Sequence, residues 1–457
     1  MTTLDARPSR PLPTSDRRLY SIRDKVEAGE RLSLEDGMTL YETPDIWGVM
    51  ELAQLVRDRL HPGVAYYNVN RHLNYSNICA LSCKFCEFHR KKGDEGAYTY
   101  SLNEIAAEAK KSCENGATEM HIVGGLQPYL PWEYYVDMVR TIRGIADDHA
   151  AASGSSPLHI KAFTAVEVVH LAKIAKRYKR DSRRESIRGV LTELKEAGLG
   201  SLPGGGAEVF DDRVHDTAFK GKIRSDEWLD VHLVAHELGL NTNATMLYGH
   251  VDNRRERLVH MEILRRSQDQ ALARLGWEGT EARRHEGTEG GISLAQFDAP
   301  EITLTRPGVS LPTANPSSLR ASVPSSLPAQ GHYQAIIPLP FFPDGSDLEH
   351  LAGPSGIENY RTQAIARLML DNFPHVKAFW IMQTLPMSQL MLQSGADDID
   401  GTVVWYDITH VGGASTHQEV TVSSLHKAIR EAGYEPVERD TVYRRVQRDG
   451  AKWRVES

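Results

Sequence analysis

Cysteine is scarce in this chain, with four in 457 residues, and three of the four fall between Cys79 and Cys86. So few thiols, so unevenly placed, exclude the disulfide framework of a small secreted domain. Long apolar runs are missing as well. The opening MTTLDARPSRPLPTSDRR carries charge and proline where a secretory leader needs an apolar stretch, and no later segment reaches the unbroken length of a membrane span. The expectation is a cytoplasmic protein with no membrane span. Basic excess is also absent: the formal net charge is −8, whereas nucleic-acid binding needs a concentrated basic face. The basic run KRYKRDSRR, Lys176 to Arg184, reads as a solvated helix end or loop. No internal repeat is visible beyond the alternation described next.

What is present is enough apolar sequence, 40% of residues, to bury a sizeable core. Residues 1–18, rich in Pro and Arg, read as a mobile tail. Residues 19–62 read as helices packing on the domain that follows, with Ser33 a possible N-cap. From Val64 the texture alternates. VAYYNVNRHLNYS reads as strand, SLNEIAAEAKKSCENG as helix, TEMHIVGG as strand and PWEYYVDMVRTIRGIA as helix, and the rhythm continues to a strand at HVKAFWI. Alternation over this length predicts a TIM-like (β/α) barrel spanning 63–416, with an open doubly wound sheet as the alternative. The rhythm breaks at about residues 269–330, rich in Pro, Ser and Gly, which reads as a long, largely disordered insertion. Residues 417–457 read as a helix and strand extension.

Cys79, Cys83 and Cys86 form C-x3-C-x2-C directly after the first predicted barrel strand, at the C-terminal mouth where barrel active sites lie. Three thiolates can hold three irons of a 4Fe-4S cluster and leave the fourth open. The competing reading is a zinc-binding scaffold, with His89 as fourth ligand. Two glycine clusters follow later strands: Gly124 and Gly125 in HIVGGL, and Gly204, Gly205 and Gly206 in LPGGGAEVF. Either could be a tight turn or a place where backbone approaches a ligand.

The cysteine spacing, with Phe85 before the last thiol, resembles the radical S-adenosylmethionine superfamily, whose fold is a full or partial (β/α) barrel. NRHLNYSNICALSCKFCEFHRKKGDEGAYT, TEMHIVGGLQP, HIKAFTAVE, LPGGGAEVFDDRVH and DGTVVWYDITHVGGA together narrow the resemblance to the aminofutalosine synthases of the futalosine route to menaquinone. The long insertion is the clearest departure. Glu87 stands where alanine is more usual, and Leu126 replaces the acidic residue that usually follows the two glycines.

The resemblance implies a transferase that adds the 5′-deoxyadenosyl group of S-adenosylmethionine to 3-[(1-carboxyvinyl)oxy]benzoate, with rearrangement and decarboxylation, giving 6-amino-6-deoxyfutalosine. It implies Cys79, Cys83 and Cys86 as cluster ligands. Phe85, Gly124, Gly125, Glu167, Gly204, Gly205, Gly206 and Glu208 would surround S-adenosylmethionine, and a low-potential donor such as flavodoxin or ferredoxin would reduce the cluster. The substrate's two carboxylates call for cationic or hydrogen-bonding groups. His72 and Arg213 are the catalytic candidates, with Arg71, His121, His159, Lys161 and His410 behind them. Dehypoxanthine futalosine cyclase and deazaflavin-cofactor synthase components share the cysteine spacing and remain alternatives at this stage.

Overall fold

The computed structural model describes residues 14–276, 330–404, 406, 408 and 419–456. Its strands are β1 (Val64–Asn68), β2 (Asn70–Leu73), β3 (Glu119–Ile122), β4 (His159–Ala162), β5 (Ser201–Leu202), β6 (Asn241–Tyr248), β7 (Tyr333–Pro340), β8 (His375–Val376), β9 (Asp398–Gly401), β10 (Glu435–Glu438), β11 (Val446–Asp449) and β12 (Lys452–Val455). Strands β2 to β8 form one seven-stranded sheet in chain order, with every pairing parallel.

The chain from Asp398 to Val404 joins the two edges of that sheet. Lys377 bridges to Asp398 and Arg71 to Val404, both in parallel. The His72 amide donates to the Val404 carbonyl at 2.8 Å, and the Ala378 amide to Asp398 at 2.8 Å. The expected (β/α) barrel is therefore what forms, with helices packed around the sheet.

Local sequence explains where the helices begin. Ser33, Ser101, Thr164 and Asn253 each sit at an N-cap with an acidic residue three positions on, and all four make reciprocal capping boxes. Left-handed glycines, such as Gly29 and Gly198, close helices.

The chain departs from the sequence expectation in three places. VAYYNVNRHLNYS is two strands: β1 pairs with β9 and β10 in an outer three-stranded sheet, and only β2 enters the barrel. The register along β1 and β9 shifts between Tyr66 and Asn68, which lets one continuous run serve two sheets. HVKAFWI pairs as strand only at His375–Val376; Trp380, whose Nε1 donates to the Gly401 carbonyl at 2.8 Å, already starts a short helix. The helix Arg254–Arg274 runs through Asp269, so the expected insertion begins later than the composition suggested. Residues 1–13 of the expected tail and 277–329 of the expected insertion lie outside the described residues. Among the described residues, no helix is long and apolar enough to cross a membrane.

Candidate active site at the barrel mouth

The segment after β2 is latched down on both sides. The Ser76 hydroxyl donates to the Tyr98 carbonyl at 2.8 Å, Asn77 Nδ2 donates to Gly96 at 2.9 Å, and the Cys79 amide donates to Arg90 at 3.0 Å. Lys91 Nζ donates to the carbonyls of Cys79 and Leu81 at 2.9 and 2.8 Å. These bonds hold Cys79, Cys83 and Cys86 over the C-terminal end of the sheet.

The three thiols suit a multi-iron cluster better than one zinc ion. Zinc gathers its sulfur ligands about 2.3 Å from a single centre, so their donor atoms crowd together. Among the described residues, the one trio of metal-ligating side chains converging within 4.8 Å is His61, His375 and Asp397, far from this loop. His89, the fourth ligand of the zinc alternative, places Nδ1 2.8 Å from the Cys86 carbonyl. The Cys79 sulfur already accepts from the Leu81 and Leu126 amides, each at 3.4 Å. Backbone donors aimed at sulfur are the contacts that tune cluster thiolates. Burial pushes the Cys83 thiol up to about 11, against the pull of Lys222, and raises Cys79 and Cys86 too. Metal must therefore displace protons when it binds.

The first glycine pair serves this loop. A Cβ on Gly125 would stand 2.4 Å from the Ile78 carbonyl oxygen, a backbone atom that cannot move alone. Gly125→Ala is therefore expected to displace the cysteine loop and lower iron retained after anaerobic reconstitution, as measured by iron and sulfide assay.

The Gly124 amide is engaged within the chain. That N–H donates at 3.0 Å to Glu167 Oε1, which also accepts from the Tyr75 hydroxyl at 2.9 Å; Oε2 accepts from the Thr164 amide at 2.8 Å. Glu167, a candidate acceptor for S-adenosylmethionine in the sequence, is a buried brace between the capping box of its own helix and the glycine turn. Burial raises its pKa to about 7 despite these donors. A carboxyl raised from its unfolded value near 4.5 binds more protons when folded, so its contribution to stability is lost as pH rises from about 4.5 to 7. The loss is on the order of 3 kcal/mol. Chemical denaturation across that window is expected to show a flatter pH profile for Glu167→Gln than for the parent, because any mispaired Gln amide costs the same at every pH.

The second glycine run and the cysteine loop share a cavity of about 250 Å³. Its walls include Phe85, Cys86, Glu87, Thr164, Gly204, Gly205, Gly206 and Glu208; Leu339, Phe341 and Phe379 add an apolar side. Gly204 packs so tightly on β6 that a Cβ would meet the Ala244 Cα at 2.5 Å, so glycine is what allows the loop to lie against that strand. At the floor lie His72, His121 and Asp400. The His72 and His121 rings stack at 4.6 Å, and neither His72 ring nitrogen has a hydrogen-bond partner among the described residues. Burial lowers His72 to about 4 and holds His121 well below the usual histidine range, so both are neutral at physiological pH.

The structure separates the two catalytic candidates. His72 faces the cavity, whereas Arg213 lies outside it, half-exposed and bonded to Glu256 at 2.6 and 2.7 Å. The backup candidates scatter. Arg71 points to the outer helices and Glu108 at 3.1 Å, Lys161 is buried against Glu119 at 2.7 Å, and His159 sits at the N-terminal end of β4 beside Ser201. His410 lies outside the described residues.

The sequence reading missed Lys222. This buried lysine pairs with Glu208, and its Nζ stands 5.3 Å from the centre of the Phe85 ring and 5.5 Å from that of Phe219. Burial disfavours its charge, yet Glu208 and the Cys83 thiol outweigh this and raise its pKa. A permanent cation thus stands beside the thiols.

Comparison with known proteins agrees with this geometry. The family model of the radical SAM superfamily matches residues 73–264, and that of the CofH/MqnC C-terminal region matches 329–450. The chain is 36% identical to the aminodeoxyfutalosine synthase of Thermus thermophilus, over 94% of this chain and 97% of that protein. It belongs to the aminodeoxyfutalosine synthase family of radical SAM enzymes. The Streptomyces coelicolor aminodeoxyfutalosine synthase is 35% identical over 92% of each chain. Among solved structures, methylornithine synthase superposes with a TM-score of 0.59 at 15% identity, covering 91% of this chain and 97% of that one, which supports the fold alone. Membership of the radical SAM superfamily implies a 4Fe-4S cluster and S-adenosylmethionine, and the three thiols Cys79, Cys83 and Cys86 are present in the matched region.

Proposed function

We propose that this chain joins the 5′-deoxyadenosyl group of S-adenosylmethionine to 3-[(1-carboxyvinyl)oxy]benzoate, giving 6-amino-6-deoxyfutalosine for menaquinone biosynthesis. The observation that carries this reading is one cavity shared by the cysteine loop, the Gly204–Gly206 run and a floor of neutral histidines, in a chain whose full-length relatives are aminodeoxyfutalosine synthases. When bound at Cys79, Cys83 and Cys86, the reduced cluster would supply the electron for reductive cleavage of S-adenosylmethionine, the source of the adenosyl group that is joined to the substrate.

The residues of this chain have distinct tasks. Cys79, Cys83 and Cys86 hold three irons, leaving the fourth for S-adenosylmethionine. Lys222 supplies positive charge for a carboxylate at the cluster end, and Glu208, released from that lysine, accepts hydrogen bonds from the amino group or ribose. Phe85, Leu339, Phe341 and Phe379 exclude water from the reacting carbon atoms. The unpartnered His72 nitrogens, with Asn243 and Thr245 across the cavity, offer hydrogen bonds to the substrate. Because His72 and His121 are neutral, they bind by hydrogen bonding rather than charge. A flavodoxin- or ferredoxin-type donor provides the electron.

Anaerobically reconstituted protein, reduced and given both substrates, is expected to form aminodeoxyfutalosine detectable by mass spectrometry. Cleavage of S-adenosylmethionine with no such product would overturn the assignment while leaving the radical chemistry intact.

A further inference from the structure

A second and larger cavity, of about 800 Å³, opens at the opposite end of the barrel. That face ordinarily serves stability rather than chemistry, and a volume in the range of small-molecule sites is not needed for packing. The cavity is bounded by the N-terminal ends of β4, β6, β7 and β8 and by the turn between β10 and β11.

Three properties of its wall point the same way. First, the charge has one sign. Lys195, Arg444 and Arg445 line it, and no Asp or Glu does among the described residues. Arg444 is answered by Asp440 outside the wall at 2.6 Å, whereas Arg445 makes no ion pair or side-chain hydrogen bond among the described residues and lies close enough to Tyr66 to bias its hydroxyl. A concave wall of a single sign concentrates counter-ions.

Second, the wall is built of flat rings. His61 and His375 stack at 4.8 Å, Tyr443 lies on His375 at 3.5 Å with their planes 8° apart, and Tyr66 meets both histidines edge-on at 5.4 Å. Tyr443 holds φ at 62°, a left-handed conformation unfavourable for a side chain of this size, and it lies on the cavity wall.

Third, the rings are fixed. His375 Nδ1 donates to Asp397 at 2.6 Å, Arg367 pairs with the same carboxylate, and His61 Nε2 donates to the Pro374 carbonyl at 2.8 Å. With these donors engaged and an arginine on the carboxylate, the trio is a rigid wall rather than a metal seat.

We propose that this cavity is a second binding site, for a small planar organic anion of the aromatic carboxylate class, separate from the radical chemistry at the mouth. His375 lies between His61 and Tyr443, and Arg439 covers the far face of Tyr443 at 4.3 Å, so the wall meets the flat body of the anion with ring edges and with Leu60, Val64 and Leu199, while Arg445 and Lys195 meet its charge at the rim. The proposal does not depend on the activity assigned above.

The test is calorimetric titration of the reconstituted full chain with 3-hydroxybenzoate, inorganic phosphate and benzyl alcohol. Arg445→Glu and Lys195→Glu are compared with Arg180→Glu, a charge reversal of an exposed arginine that is not among the cavity's residues. Thermal melts confirm that each variant is folded. The expected result is 3-hydroxybenzoate binding that weakens at least about tenfold in Arg445→Glu and Lys195→Glu. Arg180→Glu is expected to bind like the parent, with aminodeoxyfutalosine formation unchanged in Arg445→Glu. Parent-like binding in both rim variants, equal weakening in Arg180→Glu, benzyl alcohol binding as tightly as the carboxylate, or phosphate doing so, would each overturn the proposal.

Discussion

Cys86→Ala is expected to give a folded protein that holds no complete cluster and makes no detectable aminodeoxyfutalosine. Cys86 sits where the cysteine loop faces the mouth cavity, and its neighbours are the Phe85 ring and the Lys222 cation. Losing one of three thiolates leaves two iron sites uncovered instead of one, so the cluster loses both affinity and the single open position that S-adenosylmethionine requires. Activity should fall at least about a hundredfold, since loss of even outer contacts to metal ligands costs about ten- to a hundredfold. The fold should survive, because the loop is held by Ser76, Asn77 and Lys91 rather than by metal. Iron content, visible absorption and circular dichroism read these effects separately. Retention of a full iron complement would exclude Cys86 as a ligand, and the same experiment at Cys79 and Cys83 tests the other two.

Lys222→Met is expected to have the second-largest effect, through stability and cofactor affinity together. The substitution keeps the length of the stem but leaves Glu208 buried without its cation. Breaking one side of a buried pair costs about 3–5 kcal/mol. Chemical denaturation should show that loss, and Lys222→Arg should restore part of it. The double variant Lys222→Met/Glu208→Gln, compared with Glu208→Gln alone, separates the two roles: stability should recover because no unpaired charge remains, while affinity for S-adenosylmethionine, followed by equilibrium binding, should fall below that of Glu208→Gln. Affinity in the double variant equal to that of Glu208→Gln would mean that Lys222 acts only as a structural counter-ion.

The features legible in the sequence were those written into short, contiguous segments. The cysteine spacing, the glycine turns and the capping pattern of each helix are local, and the βα alternation follows from side-chain periodicity, so the barrel and its mouth could be read directly. Glu167 shows that one segment can carry two patterns. An acidic residue beside a conspicuous motif looks like a ligand, yet Thr164-x-x-Glu167 also matches a capping box, and that pattern describes its actual bonds. Arg213 is the same case with the opposite charge: one residue in a promising stretch, turned away toward Glu256.

Lys222 and the second cavity were invisible for another reason. No motif marks Lys222; it reaches the thiols because the chain returns through a short helix, Asp212–Ala218, and the Lys84 amide donates to Ala218 at 2.9 Å, fastening the cysteine loop to it. The cavity at the other end draws residues from seven separated segments, from Leu60 to Arg445, which only the closed sheet brings together.

The latching of the cysteine loop bears on how the protein acquires its iron. Small metal domains often fold only when the ion arrives, so a chelator unravels them. Here bonds from Ser76, Asn77 and Lys91, none of them to sulfur, tie the loop to the rest of the barrel. Removal of iron by a chelator is therefore expected to leave the circular dichroism and melting behaviour of the barrel largely unchanged.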